Sequence, residues 1–356
     1  MPRVSPQATD ALADDLDEIV AATGDVWAEL RGARLFITGG TGFFGTWLLE
    51  SFAWANRRLG LNASATVLTR NPHAFLEIAP HFADDEAIEF HQGDVREFEF
   101  PSGRFSHVIH AATESSATLN NENPLLMLDT IVQGTRRCLE FALACGARKF
   151  LLTSSGAVYG KQPPDVTHVS EDFRGGPDPL NPASAYAEGK RAAELECMLM
   201  NRRRELEVKI ARGFAFVGPH MKLDVHFAIG NFIRDQLKGG PIVVSGTGTP
   251  FRSYLYTSDL MVWLWTILCK GVPGRAYNVG SEEAVTIADL AHRVANALEP
   301  RVNVEVRGTP VAGAPAEHYV PSTERARTEL GLRQMVPLDE AIRRTHVWFR
   351  QRMNSR

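Results

Sequence analysis

Cysteine is scarce in this sequence, and both an excess of positive charge and a long apolar run are missing. The four cysteines form no Cys-x-x-Cys pair, so we expect reduced, buried thiols rather than a disulfide framework or a zinc site. Lys and Arg total 38 against 42 for Asp and Glu, a net charge of −4, which argues against general binding of nucleic acid. The longest strongly apolar run, Met261–Cys269, is far shorter than the roughly 20 residues of a membrane helix.

Two further absences narrow the class of protein. The amino-terminal stretch is acidic and has no apolar signal core, so we expect a cytoplasmic protein. The 11 histidines include no His-Glu-x-x-His motif and no compact ligand cluster, so we expect no metal site. Trp263 and Trp265 lie in the apolar run, where we expect a buried helix rather than a stacking platform.

What the chain does have is an alternation of short apolar runs with longer helical patterns. This alternation is typical of a parallel sheet covered on both faces, which predicts an α/β, doubly wound, Rossmann-like domain. The predicted strands are Arg34–Thr38, Ala65–Thr69, Ile88–His91, His107–His110, Phe150–Ser154 and Val208–Arg212. The predicted helices include 43–58, 124–145, 184–204, 226–238 and 337–350.

The regularity weakens after about residue 213, where Pro and Gly interrupt the pattern. We therefore predict a smaller, mixed carboxyl-terminal domain that binds substrate, made partly by chain that leaves the sheet and returns. The predicted domains are a helical extension over residues 1–30, a dinucleotide-binding domain over 31–213 and about 254–282, and a substrate domain over about 214–253 and 283–356.

A glycine-rich loop joins the first predicted strand to the first long helix. Gly39, Gly42 and Gly45 form a Gly-x-x-Gly-x-x-Gly array directly before the helix. Glycine allows a tight turn and close approach of a pyrophosphate, and the helix N-terminus offers free N–H groups. The strand–loop–helix context predicts a dinucleotide site. Its predicted contacts here are Gly39, Thr41, Gly42, Phe43, Phe44 and Gly45.

The end of the second strand bears on the choice of dinucleotide. An acid there would accept the ribose 2′-hydroxyl of NAD, whereas this chain has Arg70, which suits the 2′-phosphate of NADP or else lies in solvent. Asp94, after the third strand, is placed to meet the adenine amine or to cap the following turn. We predict NADP, with NAD as the alternative.

A serine, a tyrosine and a lysine follow in an informative order. Ser155 ends the fifth strand, and Tyr186 and Lys190 come about thirty residues later, four apart and so on one face of a helix. A cation beside a phenol lowers its pKa from about 10, which makes Tyr186 a usable acid or base. We predict Ser155, Tyr186 and Lys190 as the catalytic residues.

Together these residues resemble the extended short-chain dehydrogenase/reductases, the NAD-dependent epimerase/dehydratase family that acts on nucleotide sugars. Further resemblances are Val217-Gly218-Pro219, the stretch from Gly246 to Arg252, and Tyr277-Asn278-Val279-Gly280. The resemblance implies that Tyr186 is the base, that Lys190 also holds the nicotinamide ribose, and that Ser155 binds a sugar hydroxyl. It also implies a homodimer formed through helices 124–145 and 184–204.

The remaining predicted contacts follow from this resemblance. Arg252 is expected to meet the nucleotide diphosphate, although it fits a surface charge too, and Asn231 is a weaker nucleotide contact. Glu114-Ser115-Ser116 resembles a Glu-Ser stretch of the dehydratases and suits either substrate binding or packing. The predicted cofactor contacts also include Val95, Ala111 and Ala112, together with Tyr186 and Lys190.

One departure from the family pattern limits the reaction. The family's dehydratases carry Asp-Glu just after the catalytic threonine, and its decarboxylases keep a glutamate, whereas this chain has Gly156-Ala157. We therefore predict an epimerase-type oxidoreductase that transfers hydride at a carbinol carbon, C4, of a nucleotide sugar, and we disfavour a 4,6-dehydratase. The alternatives are an NADPH-dependent 4-ketosugar reductase and, in another class, a non-catalytic dinucleotide sensor.

Overall fold

The computed structural model describes residues 12–113, 117–202, 206–225 and 227–354. Its strands are β1 (Arg34–Thr38), β2 (Ser64–Thr69), β3 (Ile88–Gln92), β4 (His107–His110), β5 (Lys149–Ser155), β6 (Glu207–Gly213), β7 (Phe216–Val217), β8 (Ile242–Val244), β9 (Phe251–Arg252), β10 (Leu255–Tyr256), β11 (Arg275–Val279), β12 (Val285–Thr286), β13 (Val304–Val306) and β14 (His318–Tyr319).

The helices alternate with the strands through most of the chain. They are α1 (Ala13–Thr23), α2 (Val26–Glu29), α3 (Phe43–Leu59), α4 (Pro72–Ile78), α5 (Ala117–Glu122), α6 (Pro124–Ala144), α7 (Ala185–Asn201), α8 (Ala228–Leu237), α9 (Thr257–Lys270), α10 (Ile287–Asn296), α11 (Glu324–Leu330) and α12 (Leu338–Asn354). Short 3₁₀ turns occupy Pro80–Phe82, Gly156–Tyr159 and Pro182–Ser184.

The central sheet has seven strands in the order β11-β6-β5-β4-β1-β2-β3. β1 pairs in parallel with both β2 and β4, β2 with β3, and β4 with β5. The strands β1, β2, β4 and β5 are almost continuously buried, as expected of a parallel sheet flanked by helices. This confirms the predicted Rossmann-like α/β fold.

An aromatic cluster forms part of the core against one face of this sheet. The ring of Phe36 lies 4.4 Å from that of Phe141, 5.4 Å from Phe98 and 5.8 Å from Phe105, measured between centroids. All four side chains are buried. The four cysteines are free and buried, as predicted.

The amino-terminal helices pack on the same unit. Leu16 and Ile19 of α1 are fully buried, and Trp27 of α2 contacts Trp265 of α9 with centroids 5.1 Å apart. Trp265 also donates a hydrogen bond from Nε1 to Ser51 Oγ at 2.9 Å. The apolar run around Trp265 is thus a buried helix, as predicted. No helix in the described ranges is long and apolar enough to span a membrane.

The chain divides into two compact units. The first holds the residues up to Val158, Pro177–Arg212 and Met261–Tyr277, and the second holds Tyr159–Gly176, Gly213–Leu260 and the chain from Asn278 onward. The assignment of the two regions to dinucleotide and to nucleotide sugar stays a prediction.

A buried asparagine organises part of the second unit. Asn278 Nδ2 donates to the carbonyls of Val169 (2.9 Å) and Ser322 (3.0 Å), and its Oδ1 accepts from Tyr159 Oη (2.7 Å). The backbone N–H of Asn278 donates to Glu171 Oε1 at 2.7 Å. The side chain therefore joins segments that are more than 100 residues apart in sequence.

Candidate active site

The candidate site lies where the parallel strands of the first unit end. The register aligns Thr38 of β1 with Leu68 of β2 and with His110 of β4, and His110 with Leu152 of β5. The loops that follow these strands therefore start from one edge of the sheet, on both sides of the point where the strand order reverses. Ligands of open α/β sheets bind at such an edge.

Packing within the chain requires two of the three glycines of the Gly-x-x-Gly-x-x-Gly array to be glycine. Gly39 has φ +71°, and a Cβ there would lie 2.5 Å from the backbone of Ala111. A Cβ on Gly45 would lie 2.1 Å from Gly39 O. Both positions therefore exclude any side chain.

Gly42 differs from its two neighbours. The nearest atom to a Cβ at this position is Gly39 O at 3.4 Å, an ordinary contact. Gly42 is also the N-cap of α3, and it supplies no side-chain oxygen to the free N–H groups of the helix. Packing does not require a glycine here, whereas close approach of an anion to the backbone does.

The other predicted dinucleotide contacts differ in whether they lie near the glycine loop or in the apolar core. Thr41 Oγ1 lies 3.5 Å from Thr69 Oγ1, which brings the glycine loop to the end of β2. The rings of Phe43 and Phe44, in the first turn of α3, have centroids 5.9 Å apart. Val95 belongs to the buried apolar core, and its role as a cofactor contact stays a prediction.

Asp94 makes the turn-capping contacts that were one of its two predicted roles. Its Oδ1 accepts from the backbone N and from Nε of Arg96, both at 2.9 Å, and its Oδ2 accepts from Nη2 at 3.1 Å. Arg96 chiefly, with a smaller contribution from Arg70, holds the pKa of Asp94 below its usual range. The side chain of Arg70 is exposed at the end of β2. Arg96 was missed because nothing in the sequence marks it as the partner of Asp94.

The three predicted catalytic residues come together in the first unit. Ser155 is the last residue of β5, while Tyr186 and Lys190 lie on successive turns of α7. Tyr186 is half-buried and forms a side-chain hydrogen bond with Ser155. The Lys190 ammonium lies 6.0 Å from the centroid of the Tyr186 ring.

The electrostatics of Tyr186 differ from the sequence-based expectation. Burial raises the pKa of Tyr186 above 10, and the hydrogen bond with Ser155 opposes this. The expectation that Lys190 lowers this pKa is wrong for the geometry seen here, because burial of the phenol is the largest influence. Lys190 Nζ donates to Thr113 Oγ1 and to Thr153 O, both at 2.7 Å.

A buried histidine fixes the loop that carries Thr113. Thr135 Oγ1 donates to Ile131 O, so it accepts from His110 Nε2, at 3.1 Å. His110 Nδ1 therefore accepts from Thr38 Oγ1, 2.7 Å away, and Thr38 Oγ1 in turn accepts from Ala112 N at 3.2 Å. Burial lowers the pKa of His110 to about 3, so the ring is neutral. Sequence reasoning did not find this arrangement, which depends on three separate elements.

The predicted substrate residues of the second unit have defined local contacts. Arg252 is half-buried in β9, which pairs with β12 and β14, and its Nη1 donates to Phe251 O at 2.8 Å. Asn231 lies on α8, where its Oδ1 accepts from Arg234 Nη1 at 2.9 Å. Glu114, Ser115 and Ser116 lie outside the described residues.

A family model for the NAD-dependent epimerase/dehydratase family matches residues 35–280. The chain belongs to this family. UDP-glucuronic acid decarboxylase 2 of Arabidopsis thaliana is 30% identical over 357 residues, which cover 99% of this chain and 76% of that protein. DesIV, a dTDP-glucose 4,6-dehydratase of Streptomyces venezuelae solved with NAD, has a TM-score of 0.75 at 25% identity and covers 90% of this chain and 98% of its own.

A second solved structure is similar to this chain in fold alone. The UDP-glucose 4-epimerase of Thermotoga maritima has a TM-score of 0.73 at 19% identity, over 90% of this chain and 99% of its own. The family and the nucleotide-sugar enzyme class predicted from the sequence are thus confirmed. The relatives include decarboxylases, dehydratases and an epimerase, so membership does not select among these reactions.

The family's dinucleotide fits residues that are present at the sheet edge. Gly42 leaves room above the backbone, and α3 presents an N-terminus without a side-chain cap. Thr113 and Thr153 take two of the three N–H donors of Lys190, which leaves a donor for a ribose hydroxyl.

One three-residue group in the described ranges has the side chains of a metal site. Ligand atoms of Glu29, His107 and Cys269 lie within 4.8 Å of one another. The ammonium of Lys149, however, lies 2.6 Å from Glu29 Oε1 and supplies positive charge there. Burial raises the pKa of the Cys269 thiol to about 12, so the thiol is protonated. A protonated thiol beside an ammonium is a poor site for a dication.

Proposed function

We propose that this protein is an epimerase-type oxidoreductase that acts at C4 of a nucleotide-linked sugar. The observation that carries the proposal is the group of Ser155, Tyr186 and Lys190 at the end of β5, next to a turn that has no carboxylate. A bound nicotinamide dinucleotide would supply the acceptor and donor of hydride, held by the glycine loop and by Lys190.

The side chains themselves handle the proton and the sugar oxygen. Tyr186 and Ser155 are hydrogen-bonded to each other, so both hydroxyls are near one small volume. On oxidation of a sugar hydroxyl placed there, the phenolate form of Tyr186 would take the hydroxyl proton, and on reduction the resulting phenol would return it. A positioned acid or base of this kind contributes about 10²–10⁴-fold in rate.

The turn after β5 argues against elimination and decarboxylation. Gly156 opens the 3₁₀ turn Gly156–Tyr159, which directly follows Ser155. Neither Gly156 nor Ala157 can exchange a proton with a substrate, whereas the family's dehydratases and decarboxylases carry acids at this place. Because the chain is similar to UDP-glucuronic acid decarboxylases, elimination or decarboxylation is the competing hypothesis. Glu114 is the first residue to examine for it.

A second candidate, a 4-ketosugar reductase, is favoured by two observations. Burial keeps Tyr186 protonated at neutral pH, so it is set to donate a proton to a carbonyl oxygen. Arg70 stands at the end of β2 with no acid between Thr66 and Ala74, which suits NADP. The solved relative DesIV was crystallised with NAD, which favours NAD instead and with it the epimerase. The third candidate, a sensor without turnover, does not account for the complete catalytic group.

The substrate and the assembly belong to the same proposal. Arg252 would pair with the diphosphate of the nucleotide sugar through charge-assisted hydrogen bonds, each worth about 1.5–3 kcal/mol. Leu195, Met198 and Leu199 form an exposed apolar stripe on α7, and we propose that a second copy covers it in a homodimer.

Product analysis distinguishes these reactions. The protein is incubated in D₂O with UDP- and dTDP-hexoses, with UDP-glucuronic acid, and with a nucleotide 4-ketosugar, each with NAD(H) or NADP(H). The proposal expects a C4 epimer without solvent deuterium at C4, because the same hydride returns. A 4-keto-6-deoxy product, or release of CO₂, would overturn it. Net conversion of the ketosugar to an alcohol with consumption of NADPH would favour the reductase.

Arg252→Ala tests the substrate class separately. Nucleotide-sugar affinity should fall about tenfold or more, while dinucleotide affinity is retained. Equal weakening of both ligands would mean that Arg252 supports folding instead.

A further inference from the structure

The last three residues of β5 bind three residues that are spaced four apart on α7. Thr153 O accepts from Lys190 Nζ at 2.7 Å, Ser154 Oγ donates to Glu194 Oε1 at 2.5 Å, and Ser155 bonds the Tyr186 hydroxyl. Residues four apart share one helix face. The strand end thus holds one face of the helix at three successive turns, and Glu194 occupies the third.

Glu194 is buried and firmly held. Its exposed fraction is 8%, and Arg212, near the end of β6, binds it with two donors: Nη2 to Oε2 at 2.6 Å and Nε to Oε1 at 3.0 Å. Burying an ion pair costs free energy that the mutual attraction often fails to recover. The epimerase chemistry assigns no role to either residue, so the pair calls for a separate explanation.

We propose that Glu194, clamped by Arg212 and Ser154, is a positioning residue that keeps Lys190 charged and in place beside Tyr186. This inference rests on the proposed function only for its catalytic consequence. Its physical content, the protonation of Lys190, is independent of any substrate.

The charges around Lys190 favour this role. Burial lowers the pKa of Lys190 to about 8, and the negative charge of Glu194 is the largest opposing influence. Among the described residues, the other titratable groups that face Lys190 are His110 on β4, Tyr186, and Cys197 on the same helix. His110 is neutral, and burial raises the pKa values of Tyr186 and Cys197, so all three are uncharged at neutral pH. Glu194 is therefore the anion that stabilises the ammonium.

Glu194→Gln tests the proposal with a readout that a purely structural residue would not change. Glutamine keeps the shape and still accepts from Ser154, but it removes the negative charge that opposes the effect of burial on Lys190. The pKa of Lys190 should fall by roughly one to two pH units. We would measure it by NMR in the full-length protein with ¹³C-labelled lysine, using Lys190→Met to assign the resonance. The alkaline limb of the kcat/KM profile should move to lower pH by the same amount.

Matched variants separate charge from packing. Glu194→Asp keeps the negative charge, so the pKa of Lys190 should lie close to its native value. Glu196→Gln removes a carboxylate two residues along α7 that pairs with the exposed Arg136, and it should leave the Lys190 titration unchanged. If Glu194→Gln fails to fold, Glu194→Gln/Arg212→Gln replaces the ion pair with neutral amides, and the pKa of Lys190 should still lie below that of the native protein.

The outcomes are decisive and do not depend on turnover. A native Lys190 pKa in folded Glu194→Gln, or in the folded double variant, would overturn the proposal and leave the pair as a link between α7 and β6. A lowered pKa in a protein that converts no nucleotide sugar would support the proposal and count against the proposed function.

Discussion

The two compact units hold their structure in different ways. In the first unit, the ends of six consecutive strands lie within one residue of the predicted ones, and β1, β2, β4 and β5 are almost continuously buried. In the second unit the strands have two or three residues, and long-range side-chain bonds join them. Asp259, for example, is fully buried and accepts from the backbone N–H groups of Met335 and Val336 at 3.0 to 3.1 Å. The periodic pattern of apolar residues determines the structure of the first unit, whereas single buried polar residues determine much of the structure of the second.

The comparison indicates which substitutions should change the catalytic rate and the stability separately. In the first unit the residues proposed for chemistry lie on a strand and a helix that pack through an apolar core. In the second unit a buried polar residue is itself the connection between segments. Substitution of a catalytic residue in the first unit should therefore change the rate without changing the stability. In the second unit, substitution of a single buried polar residue should lower the stability.

Tyr186→Phe gives the largest expected effect and tests this separation in the first unit. The change removes the proton-transferring oxygen but keeps the ring that packs against the core. Turnover should fall by about 10²–10⁴-fold, while dinucleotide affinity and the unfolding midpoint stay near native. Steady-state kinetics, fluorescence titration and thermal unfolding measure the three quantities. Near-native turnover would remove Tyr186 from the mechanism.

A pair of alanine substitutions in the glycine loop sharpens the comparison within the first unit. Gly45→Ala places a methyl group 2.1 Å from a backbone oxygen, so the free energy of unfolding should fall by about 3 kcal/mol. Gly42→Ala meets no atom closer than 3.4 Å, so stability should be near native and only dinucleotide affinity should fall. Urea unfolding and titration with NAD and NADP distinguish them. Unchanged dinucleotide affinity in Gly42→Ala would show that the pyrophosphate does not approach this residue.

Asn278→Ala is the corresponding test of the second unit. It removes the side chain that joins Tyr159, Val169 and Ser322, so the free energy of unfolding should fall by about 2–3 kcal/mol. Asn296→Ala is the control, because the side-chain bond of Asn296 is exposed and stays within α10. Its effect should be below about 0.5 kcal/mol. Equal effects of the two changes in urea unfolding would contradict the idea that a buried polar residue joins this unit.

The same physical difference decides how much could be predicted from sequence. The parallel strands and the order of Gly39, Ser155, Tyr186 and Lys190 were predictable because they follow from local pattern and spacing. The strand Arg275–Val279 and the helix Ile287–Asn296 were missed, although Thr286 marks the helix start by capping Asp289 N. That capping pattern was present in the sequence and would have located the helix.

Contacts between distant residues were not predictable in the same way. Glu194 and Arg212 meet only because β5 and β6 are neighbours that both face α7, which no local pattern records. The predicted direction of the shift in the Tyr186 pKa was wrong for a related reason. The spacing to Lys190 is visible in sequence, whereas the burial of the phenol and the partners of the ammonium are not.

Arg70→Ala has the smallest expected effect and tests the cofactor prediction. The native protein is expected to prefer NADP over NAD by roughly tenfold, because Arg70 is exposed and solvent weakens its attraction for a 2′-phosphate. The substitution should remove most of that preference without changing NAD affinity. Arg58→Ala, at an exposed arginine that pairs with Asp17, is the control and should change neither affinity. Titration of the stripped protein with both dinucleotides measures the effect. Tighter binding of NAD by the native protein would mean that Arg70 does not contact the 2′-phosphate. An enzyme that returns the same hydride is suited to a tightly held and recycled NAD. That result would therefore favour the epimerase over the reductase.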